Sequence, residues 1–549
     1  MGTPAGGGVE CTDAAAPTES TEHVVEMRIP RTLLHALVVA GPLAVLLIVL
    51  AVPIRAIVLA LRDALLAAPA APTHPWRELT RWLVLLGNTA TVAGVALALA
   101  LSLGTALALL IARTDLYGRR LTRLLIGWAA CTPLYVTATF ALAALPGVHL
   151  SQSAAQCGVL YGLVYAPLAT LLVAFSLRAI DGSLEESALL DATAGRVMLT
   201  VTLPLARGGL VAAGVVLLVL VVTDFTLTDL LAVRTYAEEA YSQYRLDGRQ
   251  VGPLLTGLPL LAVLVVVVAT CRRLLTALME AAWARSALEA CRFRLRGTRG
   301  VTSLVVLSGL LAVVLVLLGA TAARIRQPGQ LGETVAVVWP DVINSLWLGA
   351  LAAGVIVLAG VGLAWRLAEG GAAAWLVGVA VIFLASLPGP VVGISLIGLL
   401  NHPAWPVDLY DSPLAVAIGY VVRFLPLGVV LLLPAALAVP RGLREAARVD
   451  GGDELDVHTR VVWPMMLPAL PAVGVLLVIL CLGDVGTATL LLAPGWDTAA
   501  SRAFSLLHFG VYQDLAVLGL LTAAHALAAY IMLTLALRWR RGGEPGLTE

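Results

Sequence analysis

The chain has 549 residues, of which 60% are hydrophobic and 13% charged, with a mean hydropathy of +0.95 and a net charge of +1. Soluble domains carry about a quarter of their residues as charges, so this composition excludes a soluble globular protein and predicts an all-α, polytopic membrane protein. All 35 basic residues are Arg, which excludes an ordinary phosphate-binding loop, because that loop needs a Lys ammonium at the nucleotide phosphates.

If ATP drives the protein, a separate subunit must hydrolyse it, so this chain is expected to hold no cofactor and to be no enzyme. No His cluster, metal-ligand spacing or nucleophile triad argues otherwise. The six cysteines (Cys11, Cys131, Cys157, Cys271, Cys291, Cys481) are scattered without a paired spacing and read as small apolar fillers. No nucleic-acid partner is expected; membrane lipid is.

In chain order, residues 1–30 read as a disordered cytoplasmic tail without a signal-peptide core. Twelve apolar runs follow, each near the roughly 20 residues that span a bilayer. They lie at 33–53, 82–112, 123–147, 157–179, 208–232, 251–270, 301–323, 343–365, 374–400, 412–437, 466–493 and 513–537. With both termini in the cytoplasm, 24 of the 35 Arg fall in inner segments, as the positive-inside rule favours. The stretch CRRLLTALMEAAWARSALEACRFRLRGTRG is the richest inner segment. Residues 276–300 then read as a cytoplasmic linker between a first half at 31–275 (core about 80–270) and a second at 301–541 (core about 340–537). Residues 542–549 form a C-terminal tail.

Two polar segments interrupt these runs. The first is EESALLDATAGRVMLTVTLP (185–204), the second REAARVDGGDELDVHTRVVWPMMLP (444–468), and Glu186 aligns with Glu445 at a spacing of 259 residues. The surroundings also recur. Pro167 and Pro426 precede the segments equally, Asp224 and Asp484 follow Pro204 and Pro464, and Asn88-Thr89 with Gly104 returns as Asn344-Ser345 with Gly360. Such recurrence predicts two parallel six-helix repeats, with both polar segments on the cytoplasmic side between a fourth and a fifth span. Within the second segment, Glu445, Ala446 and Ala447 suit a short helix presented to a partner. Gly451 is expected to end that helix, and Pro464 to reopen one that runs into the fifth span.

EAARVDG followed by VVWP resembles the coupling-loop motif of permease subunits of binding-protein-dependent ABC importers. In layout the chain is most similar to the iron(III)-type permeases, where two such domains are fused; YVVRFLPL (420–427) and FSLLHFGVYQDLAVLGLL (504–521) extend the likeness. The resemblance implies an inner-membrane permease of a bacterial or archaeal cell. Two ABC ATPase subunits would dock at the two loops, and an extracytoplasmic solute-binding protein would deliver iron(III) or a related ion, small anion or vitamin. It further implies coupling roles for Glu445, Ala446, Ala447, Asp450, Gly451 and Pro464, and in the first half for Glu186, Ser187, Ala188, Asp191, Ala192 and Pro204. Ser187 replaces an Ala and Ala192 a Gly, so the first turn is expected to shift to Gly195.

Five further residues are candidates for the pathway. Arg423 lies deep in a span, where a charge marks either a pathway or a pairing with a buried acid or backbone carbonyls; Val164 holds its place in the first half. Asp224 and Asp484 fall late in outward-running spans and contact solute, a docking protein or, as the favoured reading, solvent. Asn88 and Asn344 bond helices together or line the path. Pro133, Leu387–Pro390, Pro167 and Pro426 are expected to break their spans. The rival class is a major facilitator transporter driven by an ion gradient. TDLYGRRLTR (114–123) resembles a loop of that class, but the matching second-half loop, RLAEGGAAAW, does not.

Overall fold

The computed structural model describes residues 40–66, 75–144, 153–177, 180–284, 293–402 and 407–541. The two expected tails, 1–30 and 542–549, and linker residues 285–292 lie outside these. Among the described residues the elements are helices, with one isolated bridge between Thr114 and Phe293. The polytopic all-α class follows from this.

Among the described residues eight helices are long and apolar enough to cross a bilayer, or up to eleven if each of three bent pairs is one span. Twelve spans were expected, with breaks at Pro133 and at Leu387–Pro390, where two of the bent pairs fall. The unbroken ones are Gly41–Leu66, Leu79–Arg113, Ala154–Leu177, Ala194–Thr223, Arg299–Ala322, Pro328–Glu369, Leu414–Leu437 and Tyr512–Leu535. The expected run 251–270 contains only a shorter apolar helix, Val251–Val267, at the start of a helix that continues to Ala284.

The bends have local causes. Arg119–Cys131 and Leu134–Ala141 meet at 103°, and Gly371–Ala385 and Gly389–Leu400 at 102°. Thr132, with ψ 125°, is extended because the ring of Pro133 disfavours a helical residue before it. Pro388 is extended as well, and Pro390 follows it. The third bend, 69° between Glu454–Met466 and Leu470–Gly483, has no counterpart in the continuous Ala194–Thr223. Pro167 and Pro426, expected to break their spans, instead lie inside continuous helices. Packing against neighbouring helices makes one lost hydrogen bond tolerable there.

Equivalent helices pack at equivalent small residues. A Cβ at Gly104 would lie 2.6 Å from Ala169 Cβ, and one at Gly360 would lie 2.9 Å from a Leu432 methyl and 3.7 Å from the Gly428 backbone. Ala169 and Gly428 share the 259-residue spacing, so the same close approach seals Pro75–Arg113 on Ala154–Leu177 and Leu331–Glu369 on Leu414–Leu437.

The helix opening each half packs on the other half. Gly41–Leu66 lies against Gly371–Ala385 and Gly389–Leu400, while Arg299–Ala322 lies against Arg119–Cys131 and Leu134–Ala144. Arg55 fastens the first of these contacts, donating to the Gly398 carbonyl at 3.1 Å.

Candidate functional site

The first polar segment forms the helix Gly182–Ala188, begun by Asp181, whose carboxylate accepts from the Ser183 N–H at 3.0 Å. It closes without a left-handed residue: the Ala192 N–H returns to the Ala188 carbonyl at 3.1 Å, and extended Thr193 starts the next helix. The turn therefore does not shift to Gly195, which sits inside Ala194–Val197 with ordinary backbone.

The second segment forms Arg441–Val449 and ends as expected at Gly451, φ +83°. Gly452 N–H bonds the Ala447 carbonyl at 2.9 Å and Gly451 N–H bonds Arg448 at 3.1 Å, satisfying carbonyls that the helix end leaves open.

Both segments re-enter the bundle through the same local turn. A one-turn helix, Ala194–Val197 or Glu454–Val457, widens into a π-helical turn, Met198–Thr202 or His458–Val462. Pro204 and Pro464 come next, in the first turn of the α-helical stretches Leu203–Thr223 and Trp463–Met466, as expected for Pro464, and the π turn leads into each without a break. The wider turn gives room for a ring that would otherwise clash with the carbonyl one turn back.

Glu186, Ser187, Asp191, Glu445, Ala446, Asp450 and Gly451 are exposed, as are Pro204 and Pro464, while Ala188, Ala192 and Ala447 are half-buried. Beside them lies a feature the motif alone did not reveal. Leu184 is 50% exposed and Leu190 86%; Leu443 and Val449, at the 259-residue spacing, are exposed by the same 50% and 86%. The repeat spacing itself was the available signal, since it places an aliphatic residue at both positions of both copies.

A second missed feature anchors the first helix. Glu185 and Thr202 are fully buried and Arg113 is 1% exposed. Arg113 pairs with Glu185 at 3.0 Å and donates to the Ile180 carbonyl at 3.0 Å, while Thr202 donates to Glu185 at 2.7 Å. Burial pushes the Glu185 carboxyl up, opposed by the Thr202 hydrogen bond and the Arg113 charge. In the second half the charges are exchanged: Glu369 stands where the Asn88-to-Asn344 spacing places Arg113, and Arg444 where Glu185 would be. There Arg444 lies 5.0 Å over the Trp365 ring, and Glu369 meets Arg366 at 3.6 Å and Arg448 at 3.8 Å. Nothing in sequence marked Arg113 and Glu185 as partners, because they are distant along the chain.

At the far ends of these spans, Asp224 is half-buried and Asp484 buried. The expectation of solvated carboxylates is thus overturned: the spans stop at Thr223 and Gly483, short of the expected 232 and 493, and the chain turns inward. Asp224 accepts from Tyr161 Oη at 2.6 Å and from the Thr226 N–H and hydroxyl at 2.9 Å each. Asp484 precedes the helix Val485–Leu490, and a Cβ at Gly389 would lie 3.4 Å from its Oδ1. Arg423, on Leu414–Leu437, bonds the residue that precedes Asp224. Of its two readings, the structure supplies the carbonyl pairing: it donates to the Leu387 carbonyl, to the Thr223 carbonyl at 3.2 Å and to the Thr223 hydroxyl at 3.0 Å. One side chain so ties the broken span of one half to the span end of the other.

Asn88 and Asn344 lie apart from this cluster. Asn88 donates to the Arg234 carbonyl at 2.9 Å and Asn344 to the Asp497 carbonyl at 3.1 Å. Their neighbours Thr89 and Ser345 accept from the N–H groups of Tyr236 (3.4 Å) and Ala499 (2.7 Å), the first residues of Tyr236–Asp247 and Ala499–Phe509. Each Asn-Thr/Ser pair therefore holds the start of one helix, a bonding role.

The loop resembling the rival class is also engaged in packing. Asp115 accepts from the Leu295 N–H at 3.0 Å and meets Arg299 at 3.4 Å, and Arg119 donates to the Ala112 carbonyl at 3.0 Å.

Each exposed short helix is linked through a turn and a π-helical segment to a spanning helix. Residues 356–542 match the family of binding-protein-dependent transport system inner membrane components. The match takes in the second polar segment with Glu445, Gly451 and Pro464. That family is a transport component and not an enzyme class. The chain is also similar to the glucose import system permease protein GlcU of Saccharolobus solfataricus, at 23% identity over 130 residues, 23% of this chain and 45% of that relative. The chain thus spans under half the length of the relative it matches. Together these findings liken part of the chain to transport permease components, in a multi-pass membrane protein.

Proposed function

We propose that the chain is two fused permease domains of an ABC importer, moving a small solute delivered by an extracytoplasmic binding protein. Two ATPase subunits dock at Gly182–Ala188 and Arg441–Val449, so ATP is bound and split by the partners and this chain holds no cofactor. The reading rests on one observation above all: each half exposes a short helix with aliphatic residues at matching positions in and just after it, joined through a matching π turn to a spanning helix. A push on the helix is passed along a continuous backbone. By this reading the polar segments and both termini are cytoplasmic, in the inner membrane of a bacterial or archaeal cell. The cluster of Asp224, Arg423 and Asp484 then lies on the path. Iron(III) is proposed as solute from the resemblance, with related ions, small anions and vitamins as its near alternatives.

The test is co-purification. Affinity-purified chain from its native membrane brings an ABC ATPase with it, and Leu184→Glu with Leu443→Glu weakens that capture by about tenfold or more, since two desolvated aliphatic anchors are replaced by charges. Solute movement driven by an ion gradient, without any ATPase present, would overturn the proposal in favour of a secondary transporter. A second outcome concerns the centre. Arg423→Ala lowers uptake by about tenfold while leaving ATPase capture unchanged, because carbonyls of both halves lose their shared donor; normal uptake in that variant removes Arg423 from the path.

A further inference from the structure

We propose that His508 and Asp229 form a clasp, closed by protonation of the imidazole, that holds the two halves together at the end of the bundle opposite the polar segments. The two residues come from different halves, from Ala499–Phe509 and Thr226–Leu230. His508 Nε2 lies 3.2 Å from Asp229 Oδ2, and Nδ1 lies 2.9 Å from the Phe504 carbonyl. Both ring nitrogens face acceptors. A carbonyl and a carboxylate can each only accept, so both contacts are made at once only by the doubly protonated ring. His508 also occupies the last turn of its helix, where the dipole favours a cation.

The clasp closes a seam. Phe225 packs 4.6 Å from Tyr241 and 5.8 Å from Phe504, Tyr241 meets Phe504 edge-on at 5.9 Å, and Phe504 lies 4.3 Å from the His508 ring. Tyr241 and Phe504 occupy corresponding helices, so the two halves stack on each other there. Beneath them is a cavity of about 20 Å³ edged by Tyr135, Thr139, Asp229 and His508.

The charged and titratable neighbours are few. Asp229 faces His508 from Thr226–Leu230; Arg245, which donates to the Tyr241 hydroxyl at 3.3 Å, and Glu238 lie on Tyr236–Asp247; Tyr135 borders the cavity from Leu134–Ala144; Tyr512 and Asp514 open the following helix. The contact with the Asp229 carboxylate pushes the His508 pKa up, against burial and the Arg245 charge. A raised histidine pKa means the contact is complete below the ordinary histidine range and is lost as pH rises through the raised value. The clasp therefore releases on the alkaline side. Its purpose as an outer gate rests on the transport reading; its existence does not.

Leu507→Cys places a thiol at the seam. In detergent-solubilised full-length chain, its maleimide labelling is compared with that of the chain lacking this cysteine, and normalised at each pH to L507C in a His508→Gln background, which cancels the intrinsic thiol titration. Between about pH 6 and about pH 9 normalised labelling rises by at least about threefold. Asp229→Asn labels fast at both pH values, and His508→Arg, charged throughout, labels slowly at both. Equal profiles with and without His508, fastest labelling at low pH, or uniformly slow labelling in every variant would each overturn the clasp. No ATPase enters the measurement, so failure of ATPase capture and failure of the clasp are read separately.

Discussion

Gly451→Val leaves the chain inserted and the ATPase bound, and lowers solute uptake per ATP hydrolysed by about tenfold or more. Gly451 has φ +83°, yet a Cβ there would meet nothing within 4 Å. The cost is therefore backbone strain alone, on the order of 1–3 kcal/mol for a β-branched residue held left-handed. The turn relaxes and re-aims Arg441–Val449 relative to Glu454–Met466. At Gly452 the expectation differs, because a Cβ would lie 2.7 Å from the Ala447 carbonyl; Gly452→Ala is predicted to disrupt the helix end itself and to reduce capture of the ATPase too. Ala192, at the Gly451 position of the first half, accepts other residues freely because that turn needs no left-handed backbone. Unchanged coupling ratio in Gly451→Val, measured as uptake and ATP turnover in one preparation of proteoliposomes, argues against the coupling assignment.

The largest stability effect is expected at Glu185. Glu185→Ala strands the Arg113 guanidinium at 1% exposure, and breaking one side of a buried pair costs about 3–5 kcal/mol. Thermal unfolding of the detergent-solubilised chain should fall by several degrees, about 2–4 °C per kcal/mol for chains of 150–250 residues and less for this longer one. The double variant Arg113→Met with Glu185→Leu recovers most of the loss, since it buries apolar groups of similar volume in place of two charges. A double variant less stable than either single would mean that the carbonyl contact of Arg113 at Ile180 outweighs the ion pair. Arg444→Ala in the second half, where the charge lies half-exposed over Trp365, costs about 1 kcal/mol or less.

Much of the candidate site was readable without coordinates because its signals are local. Apolar runs of bilayer length, a Gly at the end of a short amphipathic helix, and a repeat spacing kept over hundreds of residues are properties of contiguous chain, and each has a direct backbone consequence. Gly451 is the sharpest case: the residue type, the helix before it and the left-handed turn belong to one short segment. Gly195 did not follow the same local rule, because the turn there could close without positive φ.

Tertiary packing decided the rest. Asp224 and Asp484 looked like interfacial carboxylates by position along a span, but helix ends at Thr223 and Gly483 turned them inward. Arg423 could not be assigned a partner from sequence, since its acceptors, at Leu387 and Thr223, are backbone carbonyls freed by breaks in other helices. Arg113 with Glu185, and His508 with Asp229, become pairs only when separate helices meet. Hydrophobicity and turn chemistry are written into neighbouring residues, whereas the partner of a buried charge depends on which distant backbone or side chain the packed bundle brings within 3 to 4 Å.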